Sequence, residues 1–210
     1  MSKVVVLGGS FNPPTIAHEK LLSVAVDTIK ADIGLFVPSS HNYVARKMRK
    51  QNKEKQTLPE IVRVKMLEEM CSTNRKFKVD TCEIGDDGRG HTYDTLSKIQ
   101  RQFPNKEVYF IIGYDTIKML PKWHSKESLV ANFKFVVFSR NGLDTQREID
   151  RYPLLVKYRK NFISAVSPDD IKDISSTAIR ENITKNKDLV KQMMNPRAYE
   201  ILLDNCSYFE

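Results

Sequence analysis

Hydrophobic and polar positions along the chain switch repeatedly between a strand pattern and a helix pattern. Val4-Val5-Val6-Leu7 is a β-branched run bounded by Gly8-Gly9, which predicts a buried strand ending in a tight turn. Leu21, Leu22, Ala25, Val26 and Ile29 then share one face at helical spacing. Ile33 to Val37 predicts a second strand, stopped by Pro38-Ser39-Ser40, and the basic segment after it reads as a polar loop. Pro59 opens a helix carrying Ile61, Val62, Met66, Leu67 and Met70. Strands are expected near Phe77 to Thr81, at Val108 to Ile112, at Phe133 to Phe138 and at Phe162 to Val166, with a helix from Tyr93 to Phe103 between the first two. The fourth of these six strands ends at Gly113, and the fifth at Ser139-Arg140-Asn141-Gly142. Two helices close the chain, one from about Thr177 and one opened by Asn195-Pro196.

Strands alternating with helices predict βαβ units, hence an α/β fold with a mostly parallel, doubly wound sheet covered by helices on both faces. Such sheets bind ligands beyond the carboxyl ends of their strands. The polar residues that break the pattern follow strand ends: Gly8 to His18, Ser39 to Lys47 and Gly113 to Asp115, with Ser175 to Arg180 opening a late helix. All are expected at one edge. With 210 residues and no linker or repeat, a single domain over 1–210 is expected, with the sheet in 1–170 and a helical part in 171–210.

Composition narrows the function classes. The net charge of +8 suits an anionic partner, but the surplus is local: residues 46–55 hold Arg46, Lys47, Arg49, Lys50, Lys53 and Lys55 against Glu54. This is not the coat of a nucleic-acid binder, and no aromatic-basic recognition motif accompanies it, so no nucleic-acid partner is expected. No apolar run approaches a membrane span, and no targeting pattern opens the chain. Cys71, Cys82 and Cys206 are odd in number and match no metal or redox spacing, which fits free thiols in the cytoplasm.

The stretch Gly8-Gly9-Ser10-Phe11-Asn12-Pro13-Pro14-Thr15-Ile16-Ala17-His18 is the most informative. Two glycines after a strand let the backbone approach a ligand, and the following helix offers free N–H groups that suit phosphate. Thr15 and His18, three apart, can both face that anion from the first turn. It is neither a Walker A loop nor a dinucleotide GxGxxG, and an ordinary turn with a capping histidine has the same pattern. In Ile174-Ser175-Ser176-Thr177-Ala178-Ile179-Arg180, one serine can cap a helix while the other hydroxyls and the Arg180 fork face a phosphate. A plain cap with a surface arginine reads the same way.

Together the two stretches resemble the nucleotidyltransferase superfamily, whose signature is a Gly-rich turn ending in histidine plus a late Ser-x-Thr-x-x-Arg. Within it the chain is similar to nicotinamide/nicotinate mononucleotide adenylyltransferases. Asn12-Pro13-Pro14-Thr15, Val37-Pro38, Arg63-Val64-Lys65-Met66-Leu67, Ile112-Gly113-Tyr114-Asp115 and Leu120-Pro121-Lys122-Trp123 fall in that family's order. One departure is Thr15, where many members have a first histidine, which leaves His18 as the motif's imidazole. The resemblance implies a Rossmann-like fold and direct transfer of AMP from ATP to the mononucleotide's 5′-phosphate. His18 and Arg180 would hold ATP phosphates during transfer. Gly8, Gly9, Ser10, Phe11, Thr15, Ser175, Ser176 and Thr177 would complete the ATP site, with Gly113 and Asp115 at the adenosine ribose. Trp123 would stack on the pyridine, Thr92 and Tyr93 would meet its carboxyl or amide, and Lys47 would reach the acceptor phosphate, with Arg46 and Arg49 as competitors. Mg2+ would arrive on ATP, and no protein metal site is expected. His41, His91 and His124 read as polar loop residues. A phosphopantetheine-type acceptor is the nearest alternative, and acid or amide preference and homo-oligomer formation stay open.

Overall fold

The computed structural model of the chain describes residues 2–85, 90–139 and 143–209. Arg140-Asn141-Gly142, expected to end the fifth strand, lie outside the described residues. Six strands form one sheet: β1 (Ser2–Gly9), β2 (Ile33–Pro38), β3 (Phe77–Val79), β4 (Lys106–Gly113), β5 (Lys134–Ser139) and β6 (Phe162–Val166). Their order is β3-β2-β1-β4-β5-β6, and the order reverses between β1 and β4. The pairings β1–β4, β4–β5 and β5–β6 are parallel. The expected parallel α/β architecture is therefore present.

The chain divides into two compact units, each assembled from three stretches. The first holds Met1–Leu7, Leu21–Gly34 and His91–Asp169. Its strands are the near-continuous apolar runs that a parallel sheet covered on both faces demands. Val4, Val5 and Val6 are wholly buried, as are Phe135, Val136 and Val137. The register places Phe110 beside Phe135 and Phe135 beside Phe162, whose rings stack at 4.9 Å. Helix α1 (Ile16–Ile29) sends Leu22 and Val26 against Gly34 in β2, where a Cβ would come within 3.0 Å of Val26. That space is why the second strand begins Ile-Gly. Also in this unit are α4 (Thr92–Gln102), a 3-10 helix at Tyr114–Lys122, and the short helices α5 (Lys126–Asn132), α6 (Thr145–Ile149) and α7 (Pro153–Lys157).

The second unit holds Gly8–Lys20, Leu35–Gly90 and Asp170–Glu210. It contains α2 (His41–Arg49), α3 (Glu60–Cys71), α8 (Ser176–Asn182), α9 (Lys187–Gln192) and α10 (Pro196–Asp204). Leu58, Met66, Leu67 and Met70 are wholly buried here, and α10 packs on α3 with Leu202 inside. The helical part at 171–210 thus belongs to the same unit as the turn after β1.

One expectation is corrected: the basic segment is not simply a polar loop. Residues through Arg49 are helical, because Ser40 caps α2 by accepting from the Tyr43 N–H and because Val44 and Met48, four apart, are buried. Six charges masked an apolar stripe of two residues. Helices α5, α6, α7 and α9 were not anticipated either. Each has five to seven residues, under two turns, so its periodicity cannot be told from a loop.

Candidate active site

The turn after β1 is built to bring backbone and side chains to one spot. Phe11 takes a left-handed backbone conformation, φ 44°, and its ring is buried edge-on to His18 at 5.0 Å and to Phe36 at 5.7 Å. A Cβ at Gly9 would meet that ring at 3.2 Å, so Gly9 is glycine to let Phe11 fold back beneath the turn. Asn12 is buried, donates to the Gln56 carbonyl at 2.8 Å and accepts from the Leu58 N–H at 2.9 Å. It ties this turn to the approach of α3.

The same turn is held by two buried guanidinium groups. Arg63 on α3 is wholly buried and donates to the carbonyls of Ser10 and Ser39, both at 2.8 Å. It thereby joins the segments that follow β1 and β2. Burial pulls its pKa down to about 10. Arg180 on α8, 6% exposed, donates to the Asn12 carbonyl at 2.7 Å and to the Thr177 hydroxyl at 3.0 Å. The Nε–H of each arginine is buried without a partner. Sequence reading placed Arg63 in a family stretch without giving it a role. The apolar pattern of α3 gave no signal for it, because Ile61 is exposed while Arg63 is buried.

His18 is oriented by Thr15. The Thr15 N–H donates to His18 Nδ1 at 3.0 Å, so Nδ1 is the acceptor and the neutral ring carries its proton on Nε2. Desolvation first, then the charge of Lys47, lowers the His18 pKa from 6.5 to about 4. His18 is therefore a neutral hydrogen-bond donor at pH 7. Thr15 is wholly buried and turned to His18, so the two do not share the ligand face as the spacing had predicted.

A cavity of about 340 Å³ opens among Gly9, Ser10, Phe11, Asn12, His18, Lys47, Met48, Gln51, Ser176, Thr177 and Arg180. Its lining carries two cations and an imidazole and no carboxylate. Lys47 Nζ lies 3.4 Å from the Ser10 hydroxyl, and its pKa is lowered by desolvation and by Arg180. Desolvation is the larger cause for both Lys47 and His18, and a neighbouring positive charge adds to it in each. Of the basic residues in 46–55, Lys47 lines the cavity, beside Met48 and Gln51. Arg46 lies over the Tyr43 ring, Arg49 pairs with Glu54, and Lys53 pairs with Glu181 at 2.9 Å. Of the serines left open by sequence, Ser175 caps α8 through the Ala178 N–H, and Ser176 donates to the Pro13 carbonyl at 2.7 Å. Gly8 is not in the lining.

The residues assigned to adenosine and pyridine lie in the first unit. Gly113 ends β4 and Asp115 is exposed just after it. A Cβ at Gly113 would meet nothing within 4 Å, so packing alone does not require the glycine. Trp123, half-buried, is edge-on to Phe110 at 6.5 Å and is followed by Ser125 in a left-handed conformation. Tyr93, in the first turn of α4, is edge-on to Phe133 at 6.1 Å. His91 and His124, which sequence treated as unrelated, stack at 4.3 Å. Distance along the chain hid that pair. Among the described residues no cluster of His, Cys, Asp and Glu could hold a metal ion, no disulfide joins the cysteines, and no helix is long and apolar enough to cross a membrane.

The model of the cytidylyltransferase-like family matches residues 6–182. A probable nicotinate-nucleotide adenylyltransferase of Clostridium acetobutylicum is 30% identical over 99% of this chain and all of its own. One of Fusobacterium nucleatum is 32% identical over 95% of this chain and 96% of its own. The fold is similar to that of Plasmodium falciparum nicotinic acid mononucleotide adenylyltransferase, solved in complexes with APC and with NaAD. The TM-scores are 0.75 and 0.73 at 21% and 22% identity, over 99% of this chain and 98% of those.

Proposed function

We propose a reaction for a chain that belongs to the cytidylyltransferase-like family: it transfers the adenylyl group of ATP to the 5′-phosphate of a pyridine mononucleotide and releases pyrophosphate. The acceptor is nicotinate mononucleotide, as in the names of its relatives. The observation that carries this reading is the carboxylate-free cavity holding His18, Lys47 and Arg180. Those groups match a polyphosphate and little else of that size.

The acceptor phosphate oxygen attacks the α-phosphorus, the bond to the β-phosphate oxygen breaks, and pyrophosphate leaves with the electron pair. No protein nucleophile takes part. The chain supplies position and charge. His18 donates from Nε2 to the phosphate oxygens as they gain charge, and Arg180 with Thr177 grips the polyphosphate. Ser10, Ser176 and the Gly8-Gly9 backbone shape its bed, while Thr15, Phe11 and Ser175 hold that bed in place. Lys47 reaches the acceptor phosphate. Asp115 accepts from the ribose hydroxyls beside Gly113, and Trp123 stacks on the pyridine.

Thr92 and Tyr93 open α4, an 11-residue helix, and their N–H groups have no intrahelical partner. That end favours a carboxylate over an amide and supports the acid form of the acceptor. Mg2+ fits as a passenger. The cavity offers hydroxyls and cations but no carboxylate, so the ion would be held by the triphosphate and water. Bound there, it would neutralise phosphate charge. The whole chain, 1–210, works as one nucleotidyltransferase domain in the cytoplasm, which suits cysteines that form no disulfide.

The test is pyrophosphate release from ATP with nicotinate mononucleotide, its amide and phosphopantetheine in parallel. Preferred use of the acid is expected. Turnover with phosphopantetheine alone would overturn the acceptor, and no ATP-dependent release with any of the three would overturn the reaction.

A further inference from the structure

Glu148 on α6 is a buried carboxylate, 6% exposed, that the transfer reaction does not use. It accepts hydrogen bonds from the Tyr114 hydroxyl at 3.2 Å, the Tyr152 hydroxyl at 3.4 Å and Arg151 Nη1 at 2.8 Å. Arg151 and Tyr152 are its near neighbours in sequence and reach it from the turn after α6. Tyr114 does not. It comes from the 3-10 helix at Tyr114–Lys122 and sits in the chain between Gly113 and Asp115. Desolvation and then the negative charge of Glu148 raise the Tyr114 pKa, and the same pair of causes raises that of Tyr152. Both phenols stay protonated donors at neutral pH, and both are directed at the Glu148 carboxyl oxygens.

Burying a carboxylate is costly, and an apolar residue would anchor α6 to a neighbouring element at least as well. What the carboxylate adds is direction. A hydrogen bond fixes the Tyr114 ring by its tip, and the two flanking residues inherit the resulting backbone orientation. Asp115, next along the chain, is exposed and has no hydrogen-bond or ion-pair partner among the described residues. Its carboxylate is steered by backbone alone.

We propose that Glu148 is a positioning residue: by accepting from Tyr114 it holds the Gly113–Asp115 backbone so that Asp115 meets the ribose of ATP. This rests on the assignment of Asp115 to the ribose made under the proposed function. Tyr152 and Arg151 fix the carboxylate itself and act one step further out.

The experiment measures binding of a non-hydrolysable ATP analogue by calorimetry, together with the Michaelis constants for both substrates. Asp115→Ala is the reference. Tyr114→Phe and Glu148→Ala should each weaken the analogue by about 3- to 30-fold, less than the roughly 10- to 150-fold of losing a hydrogen bond to a charged group outright, because Asp115 is displaced but kept. The acceptor constant and kcat should stay within about twofold, and the double variant should be no worse than the worse single one. Glu148→Gln, which keeps an acceptor oxygen, should recover part of the loss. If Asp115→Ala weakens ATP while Tyr114→Phe and Glu148→Ala do not, the positioning proposal falls and the ribose assignment stands. A silent Asp115→Ala removes the assignment and the proposal together. Parallel weakening of both substrates with a falling Tm would make the cluster merely structural and overturn the proposal. Should Glu148→Ala fail to fold, Tyr114→Phe, which keeps the ring, decides the matter alone.

Discussion

The cavity of the second unit and the Gly113–Trp123 segment of the first are built in opposite ways. Around the cavity the side chains are braced: Arg180 in its lining and Arg63 behind it are buried and bonded to backbone carbonyls of the turns, and His18 is locked by Thr15. In the other segment Asp115 is exposed and Trp123 is half-buried, leaning on one ring edge. The difference matches what each would hold under the proposed function. A phosphoryl group in transfer rewards charge that is already oriented, because reorienting dipoles during reaction costs rate. A sugar or a flat ring needs only a face and a pair of hydrogen bonds, which exposed side chains supply on arrival. Defects in the first region should therefore appear in turnover and those in the second in binding of one substrate.

The largest effect is expected at His18. His18→Ala removes the Nε2–H donor and should lower kcat by about 10²–10³, with circular dichroism unchanged. Near-normal turnover in the folded variant would break the comparison at its stronger end. Trp123→Ala should raise the acceptor's Michaelis constant by roughly 5- to 150-fold, using base stacking as the analogy, while the ATP constant moves far less. Trp123→Phe should recover part of that loss. Equal weakening of both substrates would show that Trp123 only holds the loop.

Arg180→Lys tests whether the guanidinium fork matters beyond its charge. Lysine cannot serve the Asn12 carbonyl, the Thr177 hydroxyl and a phosphate together, so kcat/KM for ATP should fall by about tenfold. A variant equal to the parent at subsaturating ATP would reduce Arg180 to a brace. The smallest effect concerns pH and stability. His18 in the fold titrates at about 4 against 6.5 in the unfolded chain, so as pH falls the unfolded state takes the proton first. This contribution is fully present above pH 6.5 and is lost as pH falls toward 4, on the order of 1–3 kcal/mol. The midpoint of urea unfolding should drop across that window in the parent and drop less in His18→Asn. Identical pH profiles would mean that His18 is not held neutral.

The sequence by itself determined the strands and most of the longer helices. Runs such as Val4 to Leu7 and Val108 to Ile112, and the stripe from Leu21 to Ile29, carry their period in consecutive residues. It also singled out the stretches Gly8 to His18 and Ser175 to Arg180, residues of which line one cavity. Only the tertiary structure decided how those stretches are supported. Arg63 reaches the Ser10 and Ser39 carbonyls across separations of 53 and 24 residues, and Ser176 reaches the Pro13 carbonyl across 163. The stacking of His91 on His124 and the bonding of Tyr114 to Glu148 likewise leave no local signature. It decided Lys47 too: among six basic residues with similar neighbours, the pairs made by Arg49 and Lys53 and the burial of Val44 and Met48 set which one turns to the cavity. Periodicity is a property of neighbours in the chain, whereas burial and charge are set by neighbours in space, and a single sequence records the first directly and the second only through the fold.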